Sequence, residues 1–239
     1  MTVCQKQDIA GIMPFEILHM QVIRPKCRFD AVIFDLDGTL ADTFPTVLRI
    51  FNRVMREQTG REWTLEELLP YFGPPETIIL RNLFPEEEIH QPLIESFFRQ
   101  SAADGAEIRP FPGIDRLVRR LGETGIPLAV YSGASTHSAR LRVGHAGLLD
   151  HFAVVLGGDQ VENYKPHPEG LLKLLDQFQV APESAVFIGD MVADITAGRG
   201  AGTKTIAVTW GAATAAELRA ARPDFVIDAP AELENLLFD

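Results

Sequence analysis

Four short stretches of this sequence carry residue types that can do chemistry together. Asp35-x-Asp37 closes an apolar run and is followed by Gly38-Thr39. Residues two apart on an extended segment point the same way, so the two carboxyl groups can share one site, and Gly38 permits a tight turn directly after them. Two carboxylates at close range repel by about 4 kcal/mol at an effective dielectric of about 20. Such a pair calls for a cation, a shared proton or both; with hard oxygen donors and no soft ones, the cation expected is Mg2+. Val130-Tyr131-Ser132-Gly133 ends another apolar run with a hydroxyl and open backbone N–H groups, before a helix expected to start near Ser135 or Thr136. That arrangement suits an anion such as phosphate. In Lys165-Pro166-His167-Pro168, two prolines stiffen a loop that can hold a compact positive charge against a phosphoryl group. Gly189-Asp190 to Asp194 sets two acids around the start of a helix, where Asp190 can complete a cation's shell and Asp194 can support it or orient Lys165. Taken singly, each stretch also has a purely structural reading as a turn, a cap, a solvent lysine or a favourable first-turn charge.

The elements that must position these residues are apolar runs at Ala31 to Phe34, Ile126 to Tyr131, Phe152 to Leu156, Ala185 to Ile188 and Thr205 to Val208, with a weaker one at Asp224 to Ile227. Continuous runs of this kind read as buried parallel strands. Most are separated by amphipathic stretches of helical length, such as Gly170 to Phe178 and Ala193 to Ala201. The alternation predicts an α/β fold, a doubly wound parallel sheet with helices on both faces, in which ligands bind beyond the carboxyl ends of the strands. All four reactive stretches fall at such ends. One interval breaks the pattern. From 44 to 110 the apolar spacing is helical throughout and punctuated by Pro45, Pro70, Pro74, Pro75, Pro85 and Pro92, as expected of short helices with tight connections. The expected organisation is therefore an N-terminal extension over 1–23, a core over 24–43 and 111–239, and an inserted all-helical lid over 44–110.

Composition bounds the function class. The chain has 239 residues, 46% of them hydrophobic and 23% charged, close to globular averages and enough for a substantial core. A formal net charge of −11 repels polyanions and argues against nucleic acid or an anionic membrane as the main partner. Cys4 and Cys27 form no CxxC pair and have no histidine at ligand spacing, so neither a disulfide framework nor a structural zinc is expected. No run reaches the length of a membrane span, and the first thirty residues lack the pattern of a secretory leader. A soluble, cytoplasmic protein is expected.

Asp35-Leu36-Asp37-Gly38-Thr39-Leu40, Ser132, Lys165-Pro166-His167-Pro168 and Gly189-Asp190 to Asp194 occur in the order that sets them at successive strand ends. In this the chain resembles the haloacid dehalogenase superfamily across roughly residues 29 to 239, and the helical insert resembles that superfamily's C1 cap. Pro112-Gly113 and Val208-Thr209-Trp210-Gly211 are similar to the phosphoglycolate phosphatase-like members. The resemblance implies that Asp35 attacks phosphorus to form an aspartyl-phosphate and that Asp37 is the general acid and base. It implies Mg2+ held by Asp35, the carbonyl of Asp37 and Asp190, with Asp194 in support. Ser132, Lys165 and N–H groups near Gly38 and Gly133 would bind the transferring phosphoryl group. Aspartate at position 37 favours phosphate esters, since dehalogenating and phosphonate-cleaving relatives do not carry it. Gly133 departs from the family, where asparagine is common, which leaves only its backbone N–H. Two other readings stand beside the phosphatase. One is a β-phosphoglucomutase-like transferase, whose members tend to have glutamate where Gly189 stands; the other is a non-catalytic binding or regulatory protein on the same fold.

The expected partner is a small phosphorylated metabolite, and the chain itself a monomer or homodimer. Substrate choice is expected from the cap, where Arg49, Arg53, Arg81 and the turn Phe72-Gly73-Pro74-Pro75 are candidates to face the site. Gly202-Thr203-Lys204-Thr205 precedes a strand instead of a helix and is no nucleotide loop. Gly198-x-Gly200-x-Gly202 is expected to end a helix, and Glu86-Glu87-Glu88 to open one.

Overall fold

A computed structural model of the chain describes residues 26–238. The extension expected over 1–23, and Cys4 with it, lies outside the described residues. The apolar runs form six parallel strands: β1 (Ala31–Phe34), β2 (Leu128–Tyr131), β3 (Val154–Leu156), β4 (Ala185–Gly189), β5 (Lys204–Val208) and β6 (Phe225–Ile227). Their order in one sheet is β3-β2-β1-β4-β5-β6, so the strand order reverses between β1 and β4, where doubly wound sheets open a crevice. Phe34 lies level with Val130 on one side and Ile188 on the other. That register brings the residues after all three strands out at one edge.

Alternation along β1 divides the core in two. Val32 and Phe34 face a cluster with Val130, Val186 and Ile188 that receives α5 (Ile114–Thr124), α6 (Thr136–His145) and α10 (Pro230–Leu237). Ala31 and Ile33 face the opposite layer, packed by α7 (Glu169–Phe178) and α8 (Val192–Ala201). The short α9 (Ala215–Ala220) covers Ala207 on β5 through Leu218. In α5, Ile114, Leu117, Val118 and Leu121 are the buried stripe, the spacing that puts one helix face on a sheet. Among the described residues, no helix is long and apolar enough to cross a membrane.

Between β1 and β2 the chain forms α1 (Phe44–Thr59), α2 (Leu65–Leu68), α3 (Glu76–Leu83) and α4 (Glu87–Ala103). These helices share a hydrophobic cluster of their own, built on Val47, Phe51, Leu68, Leu80, Leu93 and Phe97. Pro45 opens α1 and Pro75 caps α3. Pro92 does not punctuate: it sits inside α4, because the neighbouring Leu93, Ile94 and Phe97 are buried in the cluster and outweigh one lost backbone bond. The two segments joining this unit to the sheet run side by side. Ala41 is bridged to Pro110, and the Phe111 N–H donates to the Leu40 carbonyl at 3.0 Å. Gly202 ends α8 in the left-handed region, and Glu87 and Glu88 form the first turn of α4.

Candidate active site

The loop after β1 turns sharply on itself. Gly38 has φ +86°, and a Cβ there would come within 2.5 Å of Asp190 Oδ2, so only glycine lets this loop close over the acid. Gly211, after β5, is in the same position, with Asp190 Oδ2 2.1 Å from where its Cβ would be. The cradle formed around Asp190 is completed by Thr39 Oγ1, which donates to Oδ1 at 2.9 Å, and by the Ala212 N–H, which donates to Oδ2 at 2.7 Å. Trp210 Nε1 ties this second loop to the Thr39 carbonyl at 3.2 Å.

Lys165 enters from the loop before α7, and its peptide bond to Pro166 is cis. Its ammonium donates to Asp35 Oδ1 at 2.5 Å, to Asp194 Oδ1 at 2.7 Å and to the Tyr131 carbonyl at 3.3 Å. Asp194 is fixed by its second oxygen, which accepts from the Met191 N–H at 3.0 Å. Asp35, Asp190 and Asp194 are all buried, and one carboxylate oxygen from each lies within 4.8 Å of the others.

Burial is the largest influence on each charge here. It pushes the Asp35 carboxyl well above its ordinary range, opposed by Lys165 and reinforced by Asp194, Asp190 and Asp37. Burial and Asp194 push Asp190 up to about 7, against the hydrogen bonds from Ala212 and Thr39. For Lys165, burial favours the neutral amine, but the attraction of Asp194 and Asp35 exceeds it and holds the ammonium above its ordinary value. Three carboxylates share one ammonium, so the cluster is short of positive charge. A hard divalent cation held by oxygen atoms fits that deficit, and Asp35, Asp190 and Asp194 are placed to hold it.

Asp37 belongs to a different set of contacts. Its carboxylate accepts from Thr43 Oγ1 at 2.5 Å, from Arg142 Nη1 at 3.1 and 3.0 Å, and from Ser132 Oγ at 3.4 Å. The side chain is thus turned away from the three-acid cluster and into the cavity. Ser132 is fully buried and also accepts from the Ala134 N–H at 3.1 Å. The N–H of Gly38 is taken by the Ala41 carbonyl at 3.0 Å. Among the described residues, the N–H groups of Leu36 and Asp37 make no hydrogen bond, and neither does that of Gly133.

A cavity of about 230 Å3 lies over these groups, between the sheet edge and the helical unit. Asp35, Asp37, Lys165, Arg142, Gly133 and Asp194 line its floor. The turn Phe72-Gly73-Pro74 reaches it as expected. A Cβ on residue 133 would meet the Gly73 carbonyl at 2.7 Å, so the helical unit seats where the family's asparagine side chain would stand. Glu76, at the start of α3, fastens that seat: it accepts from the Ser135 N–H at 3.0 Å, from Ser138 Oγ at 2.7 Å and from Ser135 Oγ. Arg49, Arg53 and Arg81 do not face the cavity. Arg49 and Arg53 pair with Asp104 at 3.0 and 2.7 Å, and Arg81 is exposed on α3. Their long chains gain more from water and surface carboxylates than from an apolar wall.

Arg142, Thr43 and Glu76 are functional candidates that the motifs did not give. Arg142 had a signal in the sequence, since it shares a helix face with Ser138, Ala139 and Val143, all buried. An arginine on a buried face needs a partner, and Asp37 is that partner.

The haloacid dehalogenase-like hydrolase family matches residues 32–208 of this chain. Pyrophosphatase PpaX of Bacillus cereus (strain B4264) is 32% identical over 213 residues, covering 88% of this chain and 97% of that protein. A predicted phosphoglycolate phosphatase from Haemophilus somnus 129PT superposes with a TM-score of 0.79 at 21% identity, covering 87% of this chain and 98% of that one, a likeness of fold. CbbY from Rhodobacter sphaeroides, solved with xylulose-1,5-bisphosphate, superposes with a TM-score of 0.74 at 27% identity, covering 86% and 96%. With a matching family profile across most of the chain, the six-stranded parallel sheet and the acids at its carboxyl edge, this protein belongs to the haloacid dehalogenase-like hydrolases.

Proposed function

We propose that this protein is a Mg2+-dependent phosphatase that hydrolyses small phosphate monoesters through an aspartyl-phosphate on Asp35. The observation that carries the reading is the placement of Asp35 at the cavity floor, bonded to Lys165, beside a three-acid cluster and within the same cavity as Asp37. Asp35 attacks phosphorus as the ester P–O bond breaks, and Asp37 gives its proton to the departing alkoxide. Asp37, now ionised and held by Arg142 and Thr43, takes a proton from water as that water attacks the phosphoryl group. Phosphate leaves and Asp35 is restored. Lys165 and the open N–H groups of Leu36, Asp37 and Gly133 neutralise charge on the transferring oxygens. Mg2+, held by Asp35, Asp190 and Asp194 with the Asp37 carbonyl, would screen the anionic nucleophile from the anionic substrate.

Gly189 speaks for hydrolysis over mutase-like transfer, because a Cβ there would lie 2.4 Å from Asp194 Cβ and leaves no room for the glutamate of those relatives. Every acid and the lysine of the motifs are present, which speaks against a purely regulatory protein. The test is Mg2+-dependent phosphate release from phenyl phosphate, with and without chelator. Wild type should turn over and stop on chelation; Asp35→Asn should fall to background while keeping its cooperative thermal transition. Turnover persisting in that variant overturns the nucleophile.

A further inference from the structure

We infer that the leaving group this site takes is uncharged and apolar, a small alkyl or aryl alcohol. The inference rests on the phosphatase reading and deepens it. The cavity has two chemically distinct ends. Among the described residues, both cations that line it, Lys165 and Arg142, come from the floor, where Lys165 lies on Asp35 and Asp194 and Arg142 on Asp37; the wall has none. The wall opposite, where the ester's organic part must lie, is made by Phe44, Val47, Phe51, Phe72, Pro74 and Ile79. Phe72 bridges the wall, stacked on Phe44 at a ring separation of 6.4 Å and tilted against Phe51 at 6.2 Å. Among the described residues, the only charged side chain that the helical unit contributes to the cavity is Glu76, whose carboxylate is spent on Ser135 and Ser138.

A carboxylate or a second phosphate on the substrate would therefore enter an apolar wall with no cation of its own and with Asp37 and Glu76 nearby. Burying an unpaired charge is costly, whereas each buried methylene is favourable. The arginines that could have supplied the missing charge are tied up on the outer surface with Asp104. A volume of about 230 Å3 limits the whole ester to something small. Phosphoglycolate and pyrophosphate, the substrates in the names of two relatives, both have anionic leaving groups. This chain's wall fits neither.

The experiment compares kcat/KM for methyl, butyl and benzyl phosphate, phosphoglycolate and pyrophosphate under one Mg2+ concentration. The simple alkyl esters avoid the activated leaving group of an aryl phosphate. Benzyl phosphate should exceed methyl phosphate by about tenfold or more, the scale on which apolar pockets discriminate, and should exceed both anionic compounds by at least about as much. Phe72→Ala should narrow the benzyl-to-methyl ratio by about tenfold. Equal or better turnover of phosphoglycolate or pyrophosphate overturns the inference and leaves the phosphatase reading standing. Turnover of none of the five overturns the phosphatase reading instead. Wall preference is then read from calorimetric binding of benzylphosphonate against phosphonoacetate to the Mg2+-supplemented protein, and tighter binding of phosphonoacetate overturns the inference.

Discussion

The two sides of the cavity are built by different rules. The floor is a sheet edge, where register fixes which side chains emerge together, and its groups are acids, a lysine and an arginine locked to one another at 2.5 to 3.1 Å. The opposite wall is made by helix faces and the turn carrying Phe72 and Pro74, where apolar side chains belong at once to the cluster of the helical unit and to the cavity: Val47, Phe51 and Ile79 do both. Chemistry on the floor depends on single atoms. Selection at the wall depends on shape and on the absence of charge.

That contrast is sharpest for Asp37. Asp37→Asn keeps a hydrogen-bonding group toward Thr43 and Arg142 but can no longer exchange a proton, so kcat should fall by about 10²–10⁴-fold. Rapid-quench kinetics should show both formation and breakdown of the phosphoenzyme slowed; unaltered rates would mean that another group moves the protons.

A smaller effect, in stability, comes from Asp190. Its folded pKa of about 7 lies above its ordinary 3.8. Between those values the folded protein binds a proton that the unfolded chain does not, and the raised Asp35 acts in the same direction, so in chelator stability should decline as pH rises across that window. Asp190→Asn should make the decline shallower, leaving the part due to Asp35, and melt higher than wild type in chelator at pH 8, while losing the stabilisation that Mg2+ gives wild type. Thermal melts from about pH 4 to pH 8 check this; a wild-type profile that rises instead would reverse the assignment of excess negative charge at the floor.

The smallest effect belongs to the outer face of the helical unit. Arg49→Met removes the pairs with Asp104 and Glu107, and partly exposed pairs of this kind contribute about 0–1 kcal/mol. Turnover of benzyl phosphate should be unchanged within error. A selective loss on anionic substrates would show that this arginine reaches the cavity and would dissolve the contrast between floor and wall.

Legibility in the sequence follows the same division. The strands show as apolar runs because they are buried on both faces, and Asp35, Ser132, Lys165 and Asp190 are legible because each stands directly after one or in the following loop. Sheet register then does the rest, which is why residues more than a hundred positions apart meet. Arg142 was harder to see, since α6 carries its one buried cation among small side chains and the partner, Asp37, comes from another element. Of the wall, only the turn carrying Phe72 and Pro74 was legible. The stripe of α1 identifies Val47, Ile50, Phe51, Val54 and Met55 as buried, but which of them borders a cavity depends on how the helix seats on the loop after β1. For the arginines of α1 and α3, spacing alone did not reveal the surface carboxylates that hold Arg49 and Arg53.

The paired connectors near Ala41 and Pro110 give the helical unit the suspension of a door hung on adjacent straps. On the far side the unit is held to the core by the clasp of Glu76 on Ser135 and Ser138 and by the Phe98 ring against His137. Anchored on both sides, the unit keeps one apolar face over the acids of the sheet edge.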